Sequence, residues 1–168
     1  MFRRWHYSRS SSNCARTWVL RRASVDVGAL AALPPLRPCA VKVSEISGGK
    51  VGADKVIALS RLVIDPEEPQ NAATILIGAF LRTLRREGRW QAVVTFADLS
   101  EGHTGAVYRA ANATFAGVTA PEPYWVDPST GRRVSRKSTK SRTARTMSEL
   151  GLERRVSPGK LRFIWWLT

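Results

Sequence analysis

The stretch from Lys55 to Ala97 constrains the fold more than any other part of the chain. Val56, Ile57, Leu59, Leu62, Val63 and Ile64 form an apolar run rich in β-branched residues, which reads as a buried strand. Pro66 and Pro69 stop it. Ala73, Leu76, Ile77, Phe80 and Leu84 then recur at helical spacing. They predict a helix from about Asn71 to Glu87, with Asn71 as N-cap and Gly88 as the stop. Arg85 and Arg86 fall at its end, where the helix dipole favours cations. A second buried strand follows over Trp90–Ala97. Strand, helix and strand in this order imply two parallel neighbours joined by a right-handed crossover, hence an α/β fold. The 168 residues suit one domain over 1–168, able to bury roughly two-thirds of the unfolded chain's surface.

Around this unit the signals are weaker. Residues 26–52 are rich in Gly, Pro, Ala and Val; the alternation of Val41 and Val43 suggests a short strand near 39–46, with a turn at Gly48-Gly49. After the second strand come a polar loop at 98–105 and a short helix at about 105–113. Pro121, Pro123 and Pro128 are expected to break the chain. A short helix over Ser141–Leu150 would end at Gly151, and Lys160–Leu167 reads as a closing strand.

Charge narrows the partners. Lys and Arg total 27 against 13 acids, a net +14. Self-repulsion at that charge disfavours compactness unless a polyanion is bound, and nucleic acid is the commonest one. The most basic stretch, within 129–146, carries Arg132, Arg133, Arg136, Lys137, Lys140, Arg142 and Arg145 with no acid among them. It suits phosphate contacts, and its alternative reading is a solubilising loop. Residues 1–22 form a second basic segment, part of it flexible; its composition also suits a transit peptide, but the cluster Trp5-His6-Tyr7 argues against a disposable leader. Cys14 and Cys39 are too few for a disulfide framework and read as buried thiols in a reducing cytoplasm. No apolar run approaches the roughly 20 residues of a membrane helix, so no membrane partner is expected.

Candidate chemistry is densest from Phe96 to Asn112, which begins where a parallel strand ends. Ligands of open α/β sheets bind at the carboxyl ends of strands, so Asp98 stands where a functional acid belongs. Gly102 and Gly105 permit a tight turn or a close approach to a ligand. His103 is the only histidine besides His6, and imidazole titrates near neutral pH. Tyr108 and Asn112, four apart, would share a helix face. Each has a plainer reading: Asp98 and Thr104 as caps, Tyr108 as half-buried core, Asn112 as the end of the helix.

Several stretches resemble the Mom family of phage adenine-modifying proteins: Leu59-Ser60-Arg61-Leu62-Val63-Ile64, Pro69-Gln70-Asn71-Ala72, Phe96-Ala97-Asp98, Gly102-His103-Thr104-Gly105-Ala106-Val107-Tyr108-Arg109-Ala110-Ala111-Asn112, Pro158-Gly159-Lys160-Leu161-Arg162-Phe163, and the early pair His6-Tyr7. The resemblance implies a fold like the GCN5-related N-acetyltransferases (GNAT): a mixed, splayed sheet flanked by helices on both faces. It implies carbamoylmethylation of the exocyclic amine of adenine in double-stranded DNA, in the cytoplasm of a bacterial host, as a defence of phage DNA against restriction.

On that reading Asp98 accepts or orients the amine proton, with His103, Tyr108 and Asn112 in acid or orienting roles. His6, Tyr7, Arg61, Ser100 and Asn71 are expected to bind substrate, and Arg132, Arg133, Arg136, Lys137, Lys140 and Arg142 to bind DNA. Tyr7, Tyr108, Tyr124 or Trp125 could stack on a base drawn out of the helix. The group donor stays open between an acyl-coenzyme A-like molecule and iron-assisted chemistry, His6, His103 and Asp98 having the composition of a facial triad. GNAT proteins cradle the coenzyme A pyrophosphate on backbone N–H groups at a helix N-terminus. The corresponding Asp65-Pro66-Glu67-Glu68-Pro69-Gln70 has two prolines and three acids, which argues against a conventional acetyl-coenzyme A site. Two other functions fit parts of the sequence: an N-acetyltransferase acting on a protein or small amine, and a non-enzymatic basic nucleic-acid-binding protein. The oligomeric state is open, a homodimer included.

Overall fold

A computed structural model describes residues 16–134 and 144–167. His6, Tyr7, Cys14, Arg136, Lys137, Lys140 and Arg142 lie outside the described residues. The strands are β1 (Arg16–Arg22), β2 (Val25–Leu33), β3 (Val56–Ile64), β4 (Ala92–Asp98), β5 (Thr114–Val118), β6 (Glu122–Asp127), β7 (Arg132–Arg133), β8 (Glu153–Ser157) and β9 (Lys160–Trp166). The helices are α1 (Arg37–Ile46), α2 (Ala72–Glu87), α3 (Ala106–Ala110) and α4 (Ala144–Glu149). The main sheet runs β1-β2-β3-β4-β9-β5, and a small sheet runs β7-β6-β8.

The expected β3–α2–β4 unit is present. β3 and β4 are parallel neighbours, and every other pair in the main sheet is antiparallel. Strand alternation sends Ile57, Leu59, Val93 and Trp165 to one face, where Leu76, Ile77, Phe80, Leu81 and Leu84 of α2 cover them. Val56, Ala92, Val94 and Ile164 face the other way, against Ala40 and Val43 of α1. The sheet is thus mixed and carries a helix on each face. Gly88 ends α2 in the left-handed conformation at φ 63°. Asn71 does hold the N-cap position, but its side chain makes no capping hydrogen bond; its carbonyl accepts from Thr74 Oγ1 at 2.8 Å.

Three expectations give way. Residues 39–46 belong to helix α1, not to a strand. Pro38 fits the first turn of a helix, and Ala40 and Val43, three apart, are buried together while Val41 is exposed. Ahead of α1, the part of 26–52 without a clear pattern contains β2, whose Ala29, Leu30, Ala31 and Ala32 are almost fully buried. Of the prolines near 121–128, Pro121 and Pro128 bound β6 as breaks, but Pro123 does not interrupt the chain. β6 runs through Pro123, which pairs with Val156 on β8 at an end of the strand that β7 does not reach.

Cys39 is free and half-buried, and burial pushes its thiol up against the opposing pull of Arg162. Among the described residues no helix is long and apolar enough to cross a membrane.

Candidate active site in the parted sheet

β3 and β4 pair over only three positions: Val56 with Ala92, Ile57 with Val93 and Ala58 with Val94. Just above, Thr95 Oγ1 donates to the carbonyl of Leu59 at 3.1 Å. Beyond it each strand follows its outer neighbour. β3 stays on β2 as far as Ile64, and β4 stays on β9 as far as Asp98. The sheet therefore opens between its two parallel strands. β3 also carries a bulge here, because Ala31 pairs with Arg61 and Ala32 with Leu59. Ser60 is the extra residue, and its hydroxyl donates to the Ala31 carbonyl at 3.1 Å. A bulge of this kind turns the strand and re-aims the residues that follow it.

A cleft of about 260 Å3 fills the opening. Ser60 and Arg61 line it from β3, Thr95, Phe96 and Asp98 from β4, Lys160 from β9, and His103 and Tyr108 from the chain after β4. Phe96 packs with the core beneath α1 and Tyr108 with the core beneath α2, so the cleft runs through the sheet from face to face.

Asp98 is the best-held group in it. It is 4% exposed. Its Oδ1 accepts from Ser100 Oγ at 2.5 Å and from the Ser100 backbone N–H at 3.2 Å, and its Oδ2 meets Lys160 Nζ at 2.9 Å. Asp98 and Lys160 are directly opposed on β4 and β9, a cross-strand pair of the favourable sign. Burial works to raise the Asp98 carboxyl; the hydrogen bonds from Ser100 and Lys160 and the ammonium charge outweigh it and hold it below its ordinary value. It is therefore an anion across the neutral range, a strong hydrogen-bond acceptor and a weak proton acceptor.

The loop after Asp98 brings in the rest. Its chain turns through a short 3-10 helix, Leu99–Glu101, and Gly102 at φ 73°. The His103 backbone N–H donates to the Asp98 carbonyl at 3.1 Å, leaving the His103 side chain exposed at the mouth. Gly105 is required. Its φ is 75°, and a Cβ there would stand 2.3 Å from the Phe163 ring. That close approach seats α3 on β9, where the Tyr108 ring lies 5.6 Å from Phe163 and 5.9 Å, edge-on, from Trp165.

The other expected residues fall elsewhere. α3 ends at Ala110, and Asn112 adopts φ 61°, so Asn112 and Tyr108 do not share a helix face. Asn112 lines a separate hollow with Arg82, Arg85 and Trp165. Asn71 lies at the start of α2 in a pocket with Arg22 and Glu68. Ser100 touches the site through Asp98 alone. Arg132 and Arg133 are exposed on β7, with the Arg133 guanidinium 4.3 Å from the centre of the Tyr124 ring. Lys160 was not singled out from the sequence. Its signal was available: it is the first residue after the Pro158-Gly159 turn, opening a strand with nowhere apolar to go.

The loop between β3 and α2 offers a coenzyme A pyrophosphate few backbone donors. The N–H groups of Asp65, Glu67, Glu68 and Ala72 already donate within the fold, to Val27 O, Asp65 Oδ1, Asp65 O and Pro69 O. Pro66 and Pro69 have none to give. Glu68 sets its carboxylate there, paired with Arg22 at 2.9 Å. As for iron, no three His, Cys, Asp or Glu side chains converge on a metal position among the described residues, and His6 lies outside them.

A mixed sheet parted between two parallel central strands, with a helix on each face, is the architecture of the GNAT proteins, and solved structures agree. The chain superposes on an N-acetyltransferase from Staphylococcus aureus Mu50 with a TM-score of 0.52 at 10% identity, covering 90% of this chain and 67% of that one. It superposes on the ribosomal-protein-S18-alanine N-acetyltransferase of Escherichia coli with 0.51 at 9% identity, covering 94% and 72%. The GNAT-like decarboxylase GphF, solved with isobutyryl-CoA, gives 0.52 at 16% identity, covering 92% and 79%. At these identities the likeness establishes the fold. None of the curated proteins compared matches the sequence. The family model described as the Mom protein family matches residues 1–168, and the chain belongs to that family.

Proposed function

We propose that this protein transfers a carbamoylmethyl group to the exocyclic amine of adenine in duplex DNA, and so shields phage DNA from restriction. The observation that carries the reading is the Asp98 carboxylate, buried and kept ionised by Ser100 and Lys160 at the point where the sheet parts. The adenine amine is a poor nucleophile, because its lone pair is delocalised into the ring. A fixed anion that accepts one N–H localises that lone pair and aims it at the donor carbon. As the new N–C bond forms, the leaving group departs from the same carbon and the nitrogen gives up a proton. Asp98 orients the N–H, and the exposed His103 passes the proton to solvent. Arg61, on the opposite wall, suits an anionic part of the donor. The net charge of +14 and the exposed Arg132 and Arg133 suit the DNA backbone.

The test is mass spectrometry of nucleosides from plasmid DNA in cells making the protein. Modified adenine is expected with the native chain and its loss with Asp98→Ala. Unmodified adenine alongside abundant folded protein would refute the reading.

A further inference from the structure

A second cavity adjoins the cleft. It measures about 360 Å3, within the range of small-molecule sites, and its walls are mainly apolar. Phe96 and Lys160 line both cavities, so the two meet at the Asp98–Lys160 pair. Leu36, 82% exposed, stands at its edge just before α1. Gly159, with φ 90° and no room for a Cβ beside the Thr119 carbonyl, lets the chain pass close to Thr119 at another wall. Arg133 reaches it from β7. The remaining wall holds Ser157, at the end of β8. Ser157 is 2% exposed, and its buried Oγ has no hydrogen-bond partner among the described residues. Buried hydroxyls are nearly always satisfied, so an orphan lining a cavity marks a place where a ligand supplies the partner.

We infer that this cavity receives the adenine base swung out of the duplex, with Leu36 and Phe96 against its faces, Ser157 bonding a ring or amino nitrogen, and Arg133 holding a neighbouring phosphate. The inference rests on the function proposed above and names where its acceptor sits. A nucleobase is flat and neutral, with a few polar atoms on its edge. Its flat faces suit the apolar surface of Leu36, Phe96 and Ala120, and its polar edge suits Ser157 together with the charged groups Glu122, Arg133 and Lys160 at the cavity's margin. A base seated there meets the cleft at Lys160, beside the carboxylate that orients its amine. Chemistry on a base within duplex DNA requires that extrusion, whatever the donor.

Two substitutions and two readouts test it. Leu36→Trp fills the cavity from an exposed position that the fold does not need. Ser157→Ala removes a hydroxyl that no group among the described residues uses. Extrusion is read as the fluorescence rise of a duplex carrying 2-aminopurine in place of one adenine, and chemistry as modified adenine in plasmid DNA. The native chain is expected to raise the fluorescence. Leu36→Trp should abolish the rise and lower modification at least about tenfold, while affinity for the same duplex, by anisotropy, stays within about twofold because phosphate contacts dominate it. Ser157→Ala should weaken both readouts by about three- to tenfold, the worth of one neutral hydrogen bond, with a melting temperature unchanged or raised.

Full extrusion and modification by Leu36→Trp would overturn the cavity assignment and leave the proposed function standing. Extrusion blocked by Leu36→Trp, with no modified adenine from the native chain, would uphold the cavity and refute the chemistry. No fluorescence rise with the native chain would overturn the inference outright.

Discussion

Two loops flank the opening of the sheet, and each leads from a parallel strand into a helix. The one after β3, residues 65–70, spends its backbone on itself. The N–H groups of Asp65, Glu67 and Glu68 bond inward, Pro66 and Pro69 have none, and Glu68 is paired with Arg22. The one after β4, residues 98–105, does the reverse. Two left-handed glycines let it turn back over the cleft and set an anion and an imidazole around one opening. In the GNAT architecture the first position is where an anion is held on backbone donors. Here fewer such donors are on offer, and the chemistry-bearing side chains gather on the second. The same scaffold position can lose a function through two prolines while its neighbour keeps a site through two glycines.

The comparison can be broken or sharpened by substitution. The largest effect is expected from Asp98→Ala, which should lower adenine modification by about a hundredfold or more; activity within threefold of native would move the chemistry off the second loop. Next comes Gly105→Ala. It combines left-handed strain with a clash against Phe163 and should cost about 2–4 kcal/mol, read as a fall of roughly 5–15 °C in melting temperature.

Lys160→Met should cost about 1–3 kcal/mol at neutral pH, because it leaves the Asp98 carboxylate buried without its counter-ion. The pH dependence has a definite sign. The Asp98 carboxyl is lowered in the fold, so its contribution to stability is fully present above the ordinary value near 3.8 and is lost as pH falls through the lower folded value. In Lys160→Met that loss should begin at higher pH, which melting curves between acid and neutral pH would show. The smallest effect belongs to the first loop. Glu68→Gln removes the carboxylate paired with the exposed Arg22 and should cost about 1 kcal/mol, with modification unchanged. A tenfold change in modification would make residues 65–70 part of the donor site and dissolve the contrast.

The sequence made β3, α2 and β4 legible because each has one strong period and a clear stop, from the β-branched run at 56–64 to the left-handed Gly88. It hid β2 because Gly28-Ala29-Leu30-Ala31-Ala32 owes its burial to neighbours on both sides rather than to strand-forming side chains. It mislabelled 39–46 because two valines two apart fit a strand as well as a helix with one valine outward. In the cleft, Asp98, His103 and Tyr108 were legible from their place after a parallel strand. Lys160 was not, since its partner is 62 residues away and only the β4–β9 register brings them together. The small sheet was hidden by its arginines and prolines, which read as loop.

The three-residue ladder between β3 and β4 has a mechanical consequence. β1 with β2, β2 with β3 and β4 with β9 each register over six or seven pairs, so the four inner strands amount to two plates riveted along a short seam. A molecule that grips Arg61 on one plate and Lys160 on the other closes that seam like a clasp. Its occupancy would then be readable as heat resistance, by mass action, without any measurement of turnover.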